Sequence, residues 1–369
     1  MVVTMGEGPA TTTVQPESPP TPLKTFLSMA LRNGPIAGPR RSRWALLAMR
    51  HLTLAPLRAL EGGLYNQAIK AHRLSAPPIF VVGHWRSGTS FMQTLLSVDP
   101  RWTTSTVYRS VFPDIYLLTE AWLKPWLNRG SRALRLPFEI QRSMDLDWDL
   151  VAEADVALCA LGSAYAYSWG HLYPERFEQW LERLVLNPDP DSQQRWLAHH
   201  DFLLRKLSFA SGGKRVVSKS PGDMGRIAAL LRQYPKACFV YIARDPIAVY
   251  HSNLYLWEVI QRRIALQTLP PHQLETLIIR TYQALMEACA QQRALIPPGQ
   301  LVELTYDALR RDPIGQIEQI YHALKLGPPP RHQLAQFLAE QPPYHGGVYQ
   351  TPPALAQRLQ QEWHIDNGK

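Results

Sequence analysis

Two short hydrophobic runs stand out in the pattern of hydrophobic and polar positions along the chain. The first, Ile79–Val82, lies between a pair of prolines and Gly83, and the second is Cys238–Ala243. Continuous apolar runs of this length predict strands that are buried on both faces, as in a parallel sheet. Residues 89–98 then carry apolar side chains at helical spacing. The first run therefore predicts a strand–loop–helix unit.

The same alternation of strand and helix recurs in the second half of the chain. Residues 216–218 and 301–304 predict two further strands, and residues 227–233 and 313–324 predict helices. Such alternation is typical of an α/β protein with three layers, α/β/α, around a central parallel sheet. Between the two halves, residues 105–215 predict a mostly helical insertion that is rich in tyrosine and tryptophan.

Composition divides the chain into four parts. Residues 1–22 are rich in Thr, Pro, Gly and Glu and predict a disordered tail. Residues 23–76 predict a basic amphipathic helical region of one or two helices, residues 77–330 the α/β domain, and residues 331–369 a C-terminal extension. The helical region either packs on the α/β domain as a collar or makes a peripheral membrane contact through residues 23–74, where arginines precede a tryptophan- and leucine-rich stretch.

The net charge narrows the range of partners. The chain carries a formal charge of +9, and its pI is about 9.5. Such a surplus favours anionic partners, namely a polyanionic cofactor, a membrane surface, a sulfated or acidic glycan, or nucleic acid, and does not choose among them. The sequence contains no run of 18 apolar residues and no signal-peptide pattern. We therefore expect a cytoplasmic location with peripheral attachment to a membrane surface as an option.

The loop after the first strand, residues 83–91, has the composition of a phosphate-binding turn, and we call it the phosphate loop. It follows a strand and opens a helix, so backbone N–H groups and the helix dipole favour an anion there. Gly83 and Gly88 have the spacing of the triphosphatase pattern GxxxxGK[ST]. Thr89 replaces the lysine of that pattern, and the nearest cation is Arg86. The loop therefore predicts a phosphate site whose chemistry differs from that of a triphosphatase.

A second anion-binding pair is predicted at the carboxyl end of Cys238–Ala243. Arg244 follows this strand directly, and Ser252 lies eight residues later, two turns into the next helix. Ligands of open α/β sheets bind at the carboxyl ends of the strands. An arginine fork and a hydroxyl on adjoining elements can hold one phosphate from two sides. The alternative is that Arg244 pairs with a nearby carboxylate and Ser252 faces a helix groove.

Together these segments resemble the sulfotransferase family, in particular its members with an R-S-G-T loop. The residues that carry the resemblance keep the family's order along residues 78–327: Trp85-Arg86-Ser87-Gly88-Thr89-Ser90-Phe91, Lys219-Ser220-Pro221, Arg244-Asp245-Pro246 with Ser252, and Leu304-Thr305-Tyr306-Asp307-Ala308-Leu309 with Asp312-Pro313. Two positions depart from the family pattern: Asp223 stands where many relatives have histidine, and Asp307 stands where glutamate is usual. The resemblance implies the P-loop-like sulfotransferase fold.

The resemblance also implies a reaction. A sulfuryl group would pass from 3′-phosphoadenosine-5′-phosphosulfate (PAPS) to a hydroxyl or amine of an acceptor, with no metal ion. Arg86 and Lys219 are the cations expected to stabilise the negative charge that develops during transfer. The residues expected to bind PAPS are Arg86, Ser87, Gly88, Thr89, Ser90, Phe91, Arg244 and Ser252.

Four residues compete for the role of the base that accepts the acceptor's proton. They are Asp223 after the K-S-P turn, His84 in the phosphate loop, and Glu153 and Asp155 in an acidic stretch that resembles one common in the family. Each could instead be a helix cap or a solvated charge. We favour Glu153, because it lies just ahead of an apolar helix predicted over residues 156–161 and can face the pocket.

The acceptor is expected to be a small molecule, a lipid or a glycan, and no nucleic acid is expected as a partner. The aromatic run in residues 165–173 predicts either an acceptor wall or ordinary packing between helices. Two other functions stay open. One is a P-loop nucleotide kinase or hydrolase, against which the missing lysine argues, and the other is a non-catalytic protein that binds membranes or glycans.

Overall fold

A five-stranded parallel sheet organises the chain in a computed structural model, which describes residues 22–36, 38–135, 146–341 and 350–363. The strands, in chain order, are β1 (Ile79–Val82), β2 (Trp102–Thr104), β3 (Arg215–Lys219), β4 (Cys238–Ala243) and β5 (Leu301–Thr305). Their spatial order is β2-β3-β1-β4-β5, and every neighbouring pair runs parallel. The first strand therefore lies in the middle, between β3 and β4.

Helices precede the sheet, connect its strands and follow its last strand. Those before β1 are α1 (Pro22–Arg32), α2 (Arg41–Thr53) and α3 (Ala55–Ala71). Those between β1 and β3 are α4 (Thr89–Ser97), α5 (Val107–Val111), α6 (Tyr116–Ala133), α7 (Ala154–Ala160), α8 (Trp169–Leu172), α9 (Phe177–Leu181) and α10 (Pro190–Ala210). Those after β3 are α11 (Ile227–Gln233), α12 (Pro246–Arg263), α13 (Pro271–Arg293), α14 (Tyr306–Arg311), α15 (Pro313–Ala323), α16 (Arg331–Glu340) and α17 (Pro353–Glu362).

Both faces of the sheet are buried under helices, which explains why the sequences of the central strands are continuous apolar runs. On one face, Phe80 and Phe239 pack with side chains of α7 to α13. On the other face, Val81 and Val240 pack with side chains of α4, α14, α15 and α16. Successive residues of a strand point to opposite faces, so a single short strand contributes to both cores. The prediction of a three-layer α/β/α fold with a helical insertion is confirmed.

The structure differs from the sequence predictions in two places. The edge strand β2 was not predicted, because its three residues, Trp-Thr-Thr, form no apolar run. The region before β1 forms three helices rather than one or two. Pro56 near the start of α3 lacks an N–H and so cannot continue the hydrogen bonds of α2. Residues 1–21 lie outside the described residues, so the predicted tail stays a prediction.

The helices before β1 pack on the α/β domain through one face. Phe26 of α1 stacks on Trp44 of α2, with ring centroids 5.8 Å apart, and lies 6.4 Å from the ring of Trp169 in α8. Arg43 donates hydrogen bonds to the carbonyl oxygens of Ala265, at 2.7 Å, and of Arg262, at 2.8 Å. None of the described helices combines the length and the hydropathy that a membrane span requires.

Candidate active site

The carboxyl ends of four parallel strands bring the predicted site residues to one edge of the sheet. The phosphate loop follows β1, and Lys219 ends β3. Arg244 follows β4, and Tyr306 follows β5. The chain leaves β1 toward one face of the sheet and leaves β4 toward the other. Open α/β sheets bind ligands between two such diverging connections. The edge therefore collects residues that lie more than 200 positions apart in the sequence.

Backbone torsions with positive φ shape the phosphate loop. Arg86 has φ of 69° and Gly88 has φ of 99°. At Gly88 a β-carbon would lie 2.3 Å from the ring of Tyr306, so only glycine fits. The hydroxyl of Ser87 donates to the carbonyl oxygen of His84 at 2.8 Å and closes the turn.

The helix that follows the loop begins without a side-chain cap. Gly88 occupies the cap position of α4, and no described side chain accepts a hydrogen bond from its first turn. The first intrahelical bond runs from the N–H of Met92 to the carbonyl of Gly88, at 3.0 Å. The N–H groups of Thr89, Ser90 and Phe91 thus open the helix with no partner from its own turn. This is the arrangement that binds phosphate at a helix start.

Arg86, Arg244 and Ser252 meet across the edge of the sheet. Arg244 donates from Nη1 to the carbonyl oxygen of Arg86 at 2.7 Å. Arg86 donates from Nε to Oγ of Ser252 at 2.8 Å. The structure thus joins the two predicted anion-binding segments into a single cluster. Among the described residues, Arg244 packs on an aromatic ring and pairs with no carboxylate, and its guanidinium carbon lies 4.4 Å from the centroid of Tyr306.

Sequence reasoning assigned no site role to two residues that support this cluster, although one of them, Tyr306, lies in a motif of the resemblance. Tyr306 packs under Gly88 on one side and under Arg244 on the other. Its position directly after a strand was the available signal. Asn253 is buried and donates from Nδ2 to the carbonyl oxygen of Trp85 at 3.1 Å, which ties the loop to α12. Nothing in the local pattern distinguishes Asn253 from a helix-facing asparagine.

A doubly phosphorylated nucleotide fits this arrangement chemically. The start of α4 offers unpaired N–H donors, and Arg86 and Arg244 offer two guanidinium groups within the same cluster. Ser252 adds a hydroxyl that is 4% exposed. Guanidinium groups and helix N-termini are both preferred partners of phosphate.

Lys219 and Glu153 form an ion pair at the neighbouring strand end. Nζ of Lys219 lies 3.0 Å from Oε1 of Glu153, and the lysine side chain is 3% exposed while the glutamate side chain is 19% exposed. Glu153 immediately precedes α7, as predicted. The pair joins residues 66 positions apart, so the sequence suggested each residue but not their contact.

His84 lies inside the loop and is fully buried. Burial lowers the pKa of its imidazole to about 4, so the ring is neutral at neutral pH. Its Nδ1 lies 3.0 Å from the carbonyl oxygen of Trp85, while Nε2 has no hydrogen-bond partner among the described residues. The ring packs against Tyr282, with centroids 5.0 Å apart. His84 therefore borders the cluster with one unpaired ring nitrogen.

Asp155 is engaged in a buried ion pair that the sequence did not predict. Its Oδ2 lies 2.7 Å from Nη1 of Arg226, and both side chains are 1% exposed. The same oxygen accepts a hydrogen bond from Ser220 at 3.0 Å. Because breaking such a pair leaves an uncompensated buried charge, Asp155 fits a structural role better than that of a base. No local pattern pointed to Arg226 as its partner.

Asp223 is buried completely, and neither carboxyl oxygen has a hydrogen-bond partner among the described residues. Burial raises the pKa of this carboxyl to about 8. The group is consequently protonated at neutral pH and fits the role of a base less well than Glu153, which carries a more accessible carboxylate.

The titration of Asp223 predicts how stability changes with pH. In the unfolded chain the carboxyl ionises near its ordinary pKa of 3.8, whereas the folded protein keeps it protonated to about pH 8. Unfolding therefore releases a proton in this window, and the free energy of unfolding contributed by this group falls as pH rises through it. We expect Asp223→Asn to flatten that fall in chemical unfolding curves. Parallel pH profiles for the wild type and the variant would contradict this expectation.

Aromatic side chains pack behind the phosphate loop. Trp85 contacts Tyr167, His171 and Phe177, with ring centroids 5.6, 6.2 and 5.9 Å away, and Phe177 contacts Trp257 at 4.8 Å. Burial lowers the pKa of His171 to about 4, against the opposing effect of the Glu153 carboxylate. The imidazole of His171 is therefore neutral at neutral pH, as part of a buried aromatic cluster.

Comparisons with known proteins identify the family of the chain. The profile of the Sulfotransferase family matches residues 77–329. The omega-hydroxy-beta-dihydromenaquinone-9 sulfotransferase Stf3 of Mycobacterium bovis is 31% identical over 309 residues, covering 82% of this chain and 78% of that protein. The protein of the same name from Mycobacterium tuberculosis has the same identity and coverage.

Two solved structures share the fold. The sulfotransferase STF9 from Mycobacterium avium has a TM-score of 0.68 at 20% identity, with 92% of this chain and 94% of that chain covered. The sulfotransferase STF1 from Mycobacterium tuberculosis has a TM-score of 0.65 at 18% identity, with 92% and 90% covered. With the profile match over more than half of its length, the chain belongs to the sulfotransferase family, and it is a sulfotransferase of the α/β fold.

Proposed function

We propose that this chain transfers a sulfuryl group from PAPS to the hydroxyl of a lipid-like acceptor. The observation that carries the donor half of the proposal is the cluster of Arg86, Arg244 and Ser252 beside an uncapped helix start. Thr89 occupies the position at which a triphosphatase has its lysine, so this site favours PAPS over magnesium–ATP. The kinase or hydrolase alternative has no comparable support.

Two groups of residues in the donor site bind the two phosphate-bearing parts of PAPS. The N–H groups of Thr89, Ser90 and Phe91, together with Arg86, hold the 5′-phosphosulfate. Arg244 and Ser252 hold the 3′-phosphate. The hydrogen bond between Arg86 and Ser252 connects the two parts, so both phosphate sites form from one set of side chains.

The catalytic step requires a cation and a base near the transferred group. PAPS, when bound, supplies an activated sulfuryl group at this strand edge. Lys219 stabilises the negative charge that develops on the bridging oxygen. Glu153 takes the proton of the acceptor hydroxyl, because its carboxylate is partly exposed and is positioned by Lys219. His84 and Asp223 border the site as a neutral ring and a protonated carboxyl.

The acceptor half of the proposal rests on the relatives. Trp85, Phe177 and Trp257 form a buried apolar cluster behind the phosphate loop, and each of them is at most 7% exposed. The mycobacterial relatives are named for an omega-hydroxylated menaquinone. We therefore propose a terminal hydroxyl on an isoprenoid-type lipid as the acceptor group of this chain.

A transfer assay tests this proposal. The full chain is incubated with PAPS and an omega-hydroxylated menaquinone, and mass spectrometry follows the gain of one sulfuryl group. We expect a sulfated quinone that forms without added magnesium. Unhydroxylated menaquinone and a hydroxylated sugar serve as matched acceptor controls and are expected to give no product. Efficient sulfation of the sugar without sulfation of the quinone would overturn the lipid assignment. If neither acceptor gained a sulfuryl group, the proposed transfer to these acceptors would be overturned.

A further inference from the structure

An outward-facing apolar stripe runs along α2 and α3. The exposed positions of residues 45–71, a fully described stretch, recur every three or four residues and continue across the break at Leu54. None of them carries a charge. These positions are Ala45, Leu46, Met49, Leu52, Thr53, Pro56, Ala59, Leu60, Gly63, Leu64, Gln67, Ala68 and Ala71.

This arrangement inverts the usual polarity of a surface helix, which turns its apolar face to the core and its charges to water. Here Glu61 is buried and pairs with Lys206, which is also buried. Arg58 is only 19% exposed in its side chain and pairs with Asp114. The charged side chains of this stretch are thus turned inward, and the leucines are turned outward. Continuous apolar surface of this kind marks a contact site.

Helix α6 adds aromatic residues to the same surface. It packs beside α3, where Glu61 accepts a hydrogen bond from the N–H of Leu118 at 3.1 Å. Trp122 is 56% exposed and Trp126 is 65% exposed, while Leu64 of α3 is 57% exposed. Tryptophan prefers the boundary between water and a lipid bilayer. We call the outward faces of α2, α3 and α6 the docking surface.

Charge selects the partner of the docking surface. Residues 22–71 contain eight lysines and arginines and one acidic residue, Glu61; some of these cations, such as Arg43 and Arg58, bind to the protein itself, and others are exposed. Arg41 is exposed at the start of α2, and Lys24 and Arg32 are exposed on α1. Basic residues that flank a leucine-rich face complement anionic lipid headgroups. In a symmetric pair of chains, the same positive regions would face each other instead.

We propose that the docking surface binds the surface of an anionic lipid bilayer and lies in the headgroup region without crossing it. The apolar stripe continues over both helices, and α3 alone, with 17 residues, presents about 25 Å of it at the rise of an α-helix.

The docking surface also connects to the site. Phe26 and Trp44, on the inner side of α1 and α2, pack toward Trp169 of α8, and His171 of that helix contacts Trp85 in the phosphate loop. One layer of helices therefore separates the docking surface from the aromatic cluster behind the phosphate loop. Resting on the proposed function, the bilayer contact would hold the site close to the membrane that carries a lipid acceptor.

Vesicle flotation of the full chain tests the bilayer contact. We expect binding to vesicles of phosphatidylglycerol and phosphatidylcholine, much weaker binding to pure phosphatidylcholine, and loss of binding to the anionic vesicles at high salt. The double variant Leu60→Glu/Leu64→Glu should bind anionic vesicles more than about tenfold more weakly, because two carboxylates would enter the headgroup region. Leu295→Glu, at an equally exposed leucine outside the surface, should bind like the wild type.

Two readouts separate the outcomes. The thermal stabilisation by 3′,5′-bisphosphoadenosine should be the same in both variants and the wild type, which shows that they are folded and that the donor site is intact. Unchanged vesicle binding by the double variant, or no binding by the wild type, would overturn the bilayer contact while leaving the donor assignment standing. A wild-type dimer in size-exclusion chromatography that the double variant dissociates would identify a second copy as the partner and would also overturn it.

Discussion

The variant Arg244→Ala should lose the thermal stabilisation that 3′,5′-bisphosphoadenosine gives to the wild type. This nucleotide keeps both phosphates of PAPS and lacks the sulfuryl group. Arg244 is the guanidinium expected at the 3′-phosphate, and it also holds the carbonyl of Arg86 at 2.7 Å. Hydrogen bonds to a charged group contribute about 1.5–3 kcal/mol, so we expect affinity to fall by about 10- to 100-fold or more. Differential scanning fluorimetry at increasing nucleotide concentration measures the change.

Two further variants serve as controls for the Arg244→Ala measurement. Arg293 also packs on a tyrosine, with its guanidinium carbon 4.5 Å from the centroid of Tyr241, but it pairs with Glu303 away from the phosphate loop. We expect Arg293→Ala to keep the nucleotide-dependent shift. Arg244→Lys should keep part of it, because lysine supplies charge without the guanidinium fork. A full wild-type shift in Arg244→Ala would remove this residue from the donor site.

The second large effect concerns turnover. We expect Glu153→Gln to lower kcat by about 10²- to 10⁴-fold, the usual contribution of a general base. Glutamine keeps the size and one oxygen of the side chain, so its hydrogen bond from Lys219 can persist while its ability to take a proton is lost. The affinity for bisphosphoadenosine should change little. Steady-state sulfuryl transfer and nucleotide titration on the same protein preparation measure both quantities.

A nearby carboxylate provides the control. Asp149 lies four residues before Glu153 and pairs with Lys124 at the surface. Asp149→Asn should leave kcat within a few-fold of the wild type, because surface ion pairs contribute little. If Glu153→Gln kept wild-type turnover, the base would have to be another group at the site, and His84→Gln would be the next variant to measure.

Much of the fold follows from local sequence pattern. The bounds of β1 and β4 could be predicted to the residue, because both strands are buried on both faces and have Pro, Gly or charged residues within two positions of each end. The strand–loop–helix unit around residues 83–91 could be predicted because the glycine spacing indicates the positive φ at Gly88 and the helix start that follows it, whereas phosphate binding by this loop stays a prediction. Asp245 caps α12 by accepting a hydrogen bond from the N–H of Ala248 at 2.7 Å, as an aspartate just before a helix-starting proline can.

The rest depends on contacts between distant parts of the chain. Tyr306 lies beneath Gly88, and Arg226 neutralises Asp155, through separations that no local pattern encodes. The environment of Asp223 is equally inaccessible from sequence, since its raised pKa results from complete burial by surrounding elements. The sequence predicts amphipathic helices in this region, but only the structure shows which face of α2 and α3 packs on the protein.

The donor site is tested most directly by calorimetric titration of the full chain with 3′,5′-bisphosphoadenosine in the presence of a metal chelator, beside ATP with magnesium. We expect saturable binding of bisphosphoadenosine that the chelator does not weaken, and much weaker binding of magnesium–ATP, because Arg86 and Arg244 supply the positive charge and Thr89 replaces the triphosphatase lysine. Tight, magnesium-dependent binding of ATP with no binding of bisphosphoadenosine would contradict the assignment of this site to PAPS.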